Sequence, residues 1–261
     1  MTPVSVSCGS SPVVLGLPHT GTFVPDDVWA KLNENGRKLS DTDWHIDRLY
    51  EGLIANVTTV KANFHRYVID ANRDPEGASL YPGQNTTTLV PLTDFDGVDI
   101  WQTPPNDDEM AHRLATYHTP YHDALEGELQ RVRETHGYAI LYDCHSIRSH
   151  IPFLFDGALP IFNIGTNLCT TCDPRIEHLV EDIARGSSHD TVLNARFKGG
   201  WTTRRYGQPD QSLHAIQMEI AQRAYLRHEA APWDYDPEKA ENLRDILRPI
   251  LTSLANWRPT Q

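Results

Sequence analysis

The chain has 261 residues, 39% of them hydrophobic and 22% charged, with a formal charge of −12. That length can bury roughly 70–75% of the surface of the unfolded chain, so no disulfide or structural metal is needed, and one domain over residues 1–261 is expected. The acidic balance argues against a nonspecific grip on nucleic acid and against docking on anionic membranes, and no apolar run approaches the ~20 residues of a membrane helix.

The opening Met1-Thr-Pro-Val-Ser-Val-Ser-Cys-Gly9 lacks the basic and apolar segments of a secretory signal. Four cysteines in a chain this long make no disulfide framework, so a cytoplasmic, reduced protein is expected, as a monomer or small homo-oligomer. The 13 histidines invite a search for a metal site.

In chain order, Val13–Leu17 reads as a buried strand that stops at Pro18-His-Thr-Gly21. Thr42–Val57 places Trp44, Ile46, Leu49, Leu53 and Ile54 near one helical face. Phe64–Ile69 reads as a second strand, broken at Asp70-Ala-Asn-Arg-Asp-Pro-Glu-Gly77. Ala78–Pro105 is aperiodic and long enough to be a lid or binding loop. Asp107–Thr135 is helical, with Gly137 as its stop. Tyr138–Tyr142 is a third strand running into Asp143-Cys-His-Ser146. Ile176–Ala184 and Glu238–Trp257 are helical, and Ala215–Ile220 is a late strand. This alternation implies an α/β sandwich with a largely parallel sheet.

Functional residues of such sheets gather at the carboxyl ends of strands. His19, Asn72-Arg73 and Asp143-x-His145 fall there, and Glu219 lies on the late strand. Two imidazoles and one carboxylate make a common set for a catalytic divalent metal. His19 and His145 supply the first two, and the acidic cluster Asp41-Thr-Asp43-Trp-His45-Ile-Asp47 offers the third. Asp41 suits a helix cap, which leaves Asp43 or Asp47 as the ligand. Glu219, flanked by Met218 and Ile220, either faces solvent or is buried with a raised pKa that suits a general base. Arg73, Arg204 and Arg205 can hold the carboxylates of an anionic small molecule, with Asn72 beside them, whereas Arg66 fits a surface ion pair equally well. The lone Cys169-Thr-Thr-Cys172 reads as reduced thiols. The glycines at 199, 200 and 207 form no phosphate loop.

Six blocks carry a family resemblance. They are Pro18-His-Thr-Gly21, Asp41–Tyr50, Asp70-Ala-Asn-Arg73, Asp143-Cys-His-Ser146, Lys198–Gly207 and His214–Ile220. In order and content they resemble the N-formylglutamate amidohydrolases (N-formylglutamate deformylases), a family similar in fold to zinc carboxypeptidases and aspartoacylases. The resemblance implies a three-layer α/β/α sandwich with a mixed, largely parallel sheet and one catalytic zinc ion (Zn2+). It implies hydrolysis of N-formyl-L-glutamate to formate and L-glutamate, a step of histidine degradation. It assigns His19, His145 and an acid from the Asp43 block to the metal, Glu219 to the general base, and Asn72 and Arg73 to the substrate. Arg73 is also placed to stabilise the oxyanion. Carboxypeptidases carry an H-x-x-E ligand pair. Here Thr22 stands three residues after His19, so the acid must come from elsewhere, with Asp43 preferred to Asp47. Two alternatives remain: an amidohydrolase for another N-acyl amino acid (N-acetyl or N-succinyl Asp or Glu), and an inactive binding homologue.

Overall fold

Alternation inside wholly buried strands builds the centre of the molecule, because successive side chains leave opposite faces of a sheet. In β2 (Val13–Leu17), Val13, Leu15 and Leu17 join one core and Val14 joins the other. In β4 (Ala139–Ile147), Ile140, Tyr142 and Cys144 fall on the first side, with Ala139 and Leu141 on the second. The computed structural model describes residues 2–78, 83 and 85–259.

These strands belong to a seven-stranded sheet in the order β1-β3-β2-β4-β7-β5-β6. The remaining strands are β1 (Val4–Ser7), β3 (Thr58–Ala62), β5 (Phe162–Gly165), β6 (Thr191–Leu193) and β7 (Leu213–Ala221). β3 and β4 flank β2 in parallel, β7 runs parallel to β4, and β6 parallel to β5. β1 against β3 and β5 against β7 are antiparallel. One face is covered by α2 (Ile46–Tyr50), α5 (Pro174–Arg185) and α7 (Pro237–Asn256) through residues such as Leu49, Val180, Leu247 and Leu251. The other is covered by α1 (Asp26–Lys31) and α4 (Thr119–His136) through Val28, Leu125 and Leu129, with Tyr206 from α6 (Trp201–Tyr206). The result is the expected three-layer α/β/α sandwich on a mixed, largely parallel sheet.

The long helical reading from Asp107 is realised as α3 (Asp107–Arg113), a π-turn over Leu114–His118, and α4. Asn106 and Glu109 form a capping box at its start, and Gly137 closes it in the left-handed region at φ 81°. Three expectations need correction. The second strand is Thr58–Ala62, not Phe64–Ile69. Phe64 forms one isolated bridge to Phe23, and the residues after it turn back, with Val68 N–H donating to His65 O. Aromatic and β-branched residues are as suited to a doubly buried turn as to a strand, which is why composition misplaced it. The helix over Thr42–Val57 shrinks to Ile46–Tyr50. His45 precedes it at φ 58° and Gly52 follows at φ 68°, both left-handed and incompatible with a continuing helix. Finally, β4 continues through Ile147, so His145 lies within the strand and not in a loop beyond it.

Candidate active site

The parallel pairing of β4 with β7 sets Asp143 opposite Gln217 and His145 opposite Glu219. β2 ends at Leu17, and Pro18 carries the chain to His19 at the same end of the sheet. The segment before α2 brings in the third group, because Asp43 N–H donates to His19 O and Asp43 Oδ2 accepts from Ser146 N–H at 3.0 Å. His19, Asp43 and His145 thus converge, all buried, with one ligand atom from each lying within 4.8 Å of the others. Asp47, the other acidic candidate, lies outside and pairs with Lys61 at 3.1 Å. Asp41 caps no helix: its carboxylate is buried and accepts from Tyr67 Oη–H at 2.8 Å and Phe95 N–H at 3.0 Å.

The protonation of this cluster follows from its partners. His19 Nε2 lies 2.7 Å from Asp70 Oδ1. Burial, with the Arg66 guanidinium adding to it, pushes the His19 pKa down to about 4, so the ring is neutral at pH 7. An ionised carboxylate only accepts, so the single N–H of His19 sits on Nε2 and its Nδ1 presents a lone pair. That lone pair faces His145 Nδ1 at 3.2 Å and Asp43 Oδ2 at 3.8 Å. Asp43 Oδ2 is also 3.4 Å from His145 Nδ1. Burial opposes ionisation of Asp43 and Asp70. The Arg66 guanidinium leads in holding Asp43 below the usual carboxylate range, and Arg73, His19 and Arg66 hold Asp70 well below it. Burial also disfavours a charged His145, but Asp143 and Asp43 outweigh it and raise its pKa well above 6.5. The three groups converge on one buried point, and a cation bound there would take the place of the proton that Asp43 and Asp143 favour on His145. Two imidazoles and one carboxylate are the donor chemistry of a divalent transition metal.

Each histidine is steadied from behind. Asp70 holds His19, and Asp143 Oδ1 lies 3.1 Å from His145 Nε2. The sequence offered a signal for Asp143, two residues before His145 on the same strand face. Asp70 opens the Asp70-Ala-Asn-Arg73 block, but nothing in the sequence pairs it with His19, 51 residues away. Arg66 is no surface residue. It is buried and donates from Nη2 to Asp43 Oδ1 at 2.9 Å, with Nη1 3.8 Å from Asp70 Oδ2.

A cavity of about 140 Å³ opens beside this cluster, with His19, Asn72, Arg73, His145, Gln217 and Glu219 in its lining. Glu219 is buried, and burial pushes its pKa up to about 7. Its Oε2 accepts from Gln217 Nε2–H at 3.1 Å, and Gln217 Oε1 accepts from Gly200 N–H at 2.6 Å. Asn72 Oδ1 accepts from Thr202 N–H at 2.9 Å, which turns its Nδ2 to within 3.2 Å of His145 Nε2. Gly200 makes this close approach possible, since a Cβ there would sit 2.3 Å from Asn72 Nδ2. Arg73 donates to Thr87 O at 2.9 Å and to the Thr87 hydroxyl at 2.8 Å. Asn85 to Leu89 line the same cavity, whereas residues 79–82 and 84 of the loop expected as a lid lie outside the described residues.

Arg204 and Arg205 are not in the described lining. Arg204 Nε donates to Gly199 O at 2.9 Å. Arg205 is exposed, lies 3.6 Å from Glu126, and covers Trp201 and Tyr206. Both belong to α6 (Trp201–Tyr206). The arginine that sequence reading missed is Arg196, on the opposite side of the loop glycines, which does line it.

A family model described as N-formylglutamate amidohydrolase matches residues 11–226. A Pseudomonas aeruginosa protein named N-formylglutamate deformylase is 45% identical over 260 residues, covering 97% of this chain and 96% of its own. A Pseudomonas putida protein of the same name is 41% identical over 253 residues, covering 95% and 94%. The crystal structure of N-formylglutamate amidohydrolase from Ralstonia eutropha JMP134 is similar with a TM-score of 0.82 at 25% identity, covering 98% of each chain.

Proposed function

The chain belongs to the N-formylglutamate amidohydrolase family, and on that premise we propose that it hydrolyses N-formyl-L-glutamate to formate and L-glutamate with the help of one zinc ion. The observation that carries this reading is the convergence of His19, Asp43 and His145 on one point beside a cavity that also holds a buried carboxylate and arginines. A divalent metal held by those three residues would supply Lewis acidity to the formyl oxygen and to the attacking water.

Glu219 accepts the proton of the attacking water and returns it to the leaving amine. A carboxyl poised at about 7 can do both near neutral pH. Gln217 holds Glu219 in place through a bond whose direction is set by Gly200 N–H. Asn72 and Arg73 bind the α-carboxylate, and the Arg73 charge also favours the oxyanion that develops on the formyl carbon. Arg66 stays behind Asp43 and Asp70, leading in keeping Asp43 ionised and adding to Arg73 and His19 at Asp70. The partner is thus a small anionic N-acyl amino acid. We place the work in the cytoplasm, in histidine degradation, by a single metallohydrolase domain that acts as a monomer or small homo-oligomer. The four free thiols accord with a reducing compartment.

A panel of N-formyl-, N-acetyl- and N-succinyl-glutamate and -aspartate tests the acyl choice. The formyl compound is expected to give the highest kcat/KM. A higher value for any larger acyl group would move the assignment to that substrate.

A further inference from the structure

We propose that Arg196 reads the side-chain carboxylate of the substrate, at the far end of a cavity whose near end is held by Arg73. The inference rests on N-formylglutamate as substrate. That molecule carries two carboxylates, one beside the formamido group and one separated from it by three carbons, so a site that distinguishes it needs two cationic anchors.

Three guanidinium groups belong to the described lining: Arg66, Arg73 and Arg196. Arg66 is committed to the metal centre, between Asp43 and Asp70. The other two are both docked on one short segment. Arg73 donates from Nε to Thr87 O, while Arg196 donates from Nη2 to Asn85 O at 2.9 Å and from Nε to Leu154 O at 3.0 Å. Asn85 and Thr87 are two residues apart, a span of at most ~7 Å. One wall therefore presents two oriented forks for the two ends of one small dicarboxylate. Guanidinium forks fixed in this way bind carboxylates with little further loss of freedom.

The polarity of the pair is set by the metal centre. Arg73 Nη1 lies 3.8 Å from Asp70, which itself holds His19. It is therefore the anchor nearer the scissile bond and suits the α-carboxylate. Arg196 is tied instead to the outer loops and lies over the Phe197 ring at 5.4 Å. Phe197 and Leu154 join it in the lining and offer apolar surface to the intervening methylenes. Reading the sequence gave Arg204 or Arg205, with Asn72, the holding of the substrate carboxylates without telling the two apart.

The test compares zinc-loaded wild type with Arg196→Gln and Arg196→Lys. N-Formyl-L-glutamine differs from the substrate only by an amide in place of the distal carboxylate. The ratio of kcat/KM for N-formylglutamate over N-formylglutamine is expected to fall by about 30-fold or more in Arg196→Gln, mostly through KM, and by less in Arg196→Lys. An unchanged ratio would overturn the assignment. So would an equal loss on both substrates, which is the mark of a structural role. Calorimetric binding of glutarate and butyrate to the same proteins supplies a readout free of turnover. The preference for glutarate is expected to disappear in Arg196→Gln, and its survival would overturn the proposal. Wild type that prefers glutarate but releases no formate would count against the proposed reaction while leaving the dicarboxylate site standing.

Discussion

His19 shows how one partner decides a side chain's chemistry. Asp70 accepts a hydrogen bond from its Nε2–H, burial and Arg66 keep the ring neutral, and the remaining lone pair is aimed at His145 and Asp43. Carboxylates behind metal-bound histidines typically contribute 10- to 100-fold in metal affinity. Asp70→Asn is therefore expected to weaken zinc binding by about that factor, read by competition with a chromophoric chelator. Unaltered affinity would show that Asp70 merely fills space. Glu219→Gln keeps the shape and the Gln217 contact but removes the base, so kcat should fall about 10²- to 10⁴-fold while the zinc content of the protein is unchanged. Because burial raises the Glu219 pKa to about 7, the carboxyl is protonated below that pH and cannot accept the water proton. Activity should accordingly decline as pH falls through 7, and a flat profile down to pH 5 would remove Glu219 from the role. At this scale the meeting of His19, Asp43, His145 and Glu219 in one place was legible, because each stands in or beside a short motif near a strand end. The pairings of Asp70 with His19 and of Arg66 with Asp43 were not, since each joins residues far apart in the chain.

At the scale of elements, the register of β4 against β7 does the placing. It puts His145 beside Glu219 and Asp143 beside Gln217 with no loop involved. Uninterrupted burial along both strands made them visible in the sequence as apolar runs, though the charged residues within β4 disguised its true end. β1, β5 and β6 are short, three or four residues each, too short for a periodic signal. The loop that begins α6 is equally consequential. A methyl at Gly200 would collide with the Asn72 amide at 2.3 Å. Gly200→Ala is therefore expected to cost about 1–3 kcal/mol of stability and to lower kcat/KM by displacing Asn72. Equal activity in a folded variant would contradict the placement of Asn72. Gly127 is the contrast: it sits exposed inside α4, and nothing lies within 4 Å of an added Cβ. Gly127→Ala should raise stability by about 0.5–1 kcal/mol in denaturant titration and leave turnover alone.

Across the whole molecule, the three layers leave one end of the sheet to collect groups from β2, β4, β7 and the segments at residues 41–47 and 66–73. The chain is acidic overall at −12, yet the described lining of the cavity beside the cluster includes three arginines against two carboxylates, Asp74 and Glu219. Arg73 and Arg196 in that lining fit a small anionic substrate, and net charge alone could not have revealed them. Among the described residues no helix is long and apolar enough to cross a membrane. The central claim is that the cluster of His19, Asp43 and His145 holds the metal on which hydrolysis depends. It is tested most directly by formate release from N-formyl-L-glutamate, measured for the protein as purified, after exhaustive chelation, and after zinc is restored. Release that vanishes with the chelator and returns with zinc is the predicted result. Formate produced at the full rate by protein shown by elemental analysis to be metal-free would contradict the account.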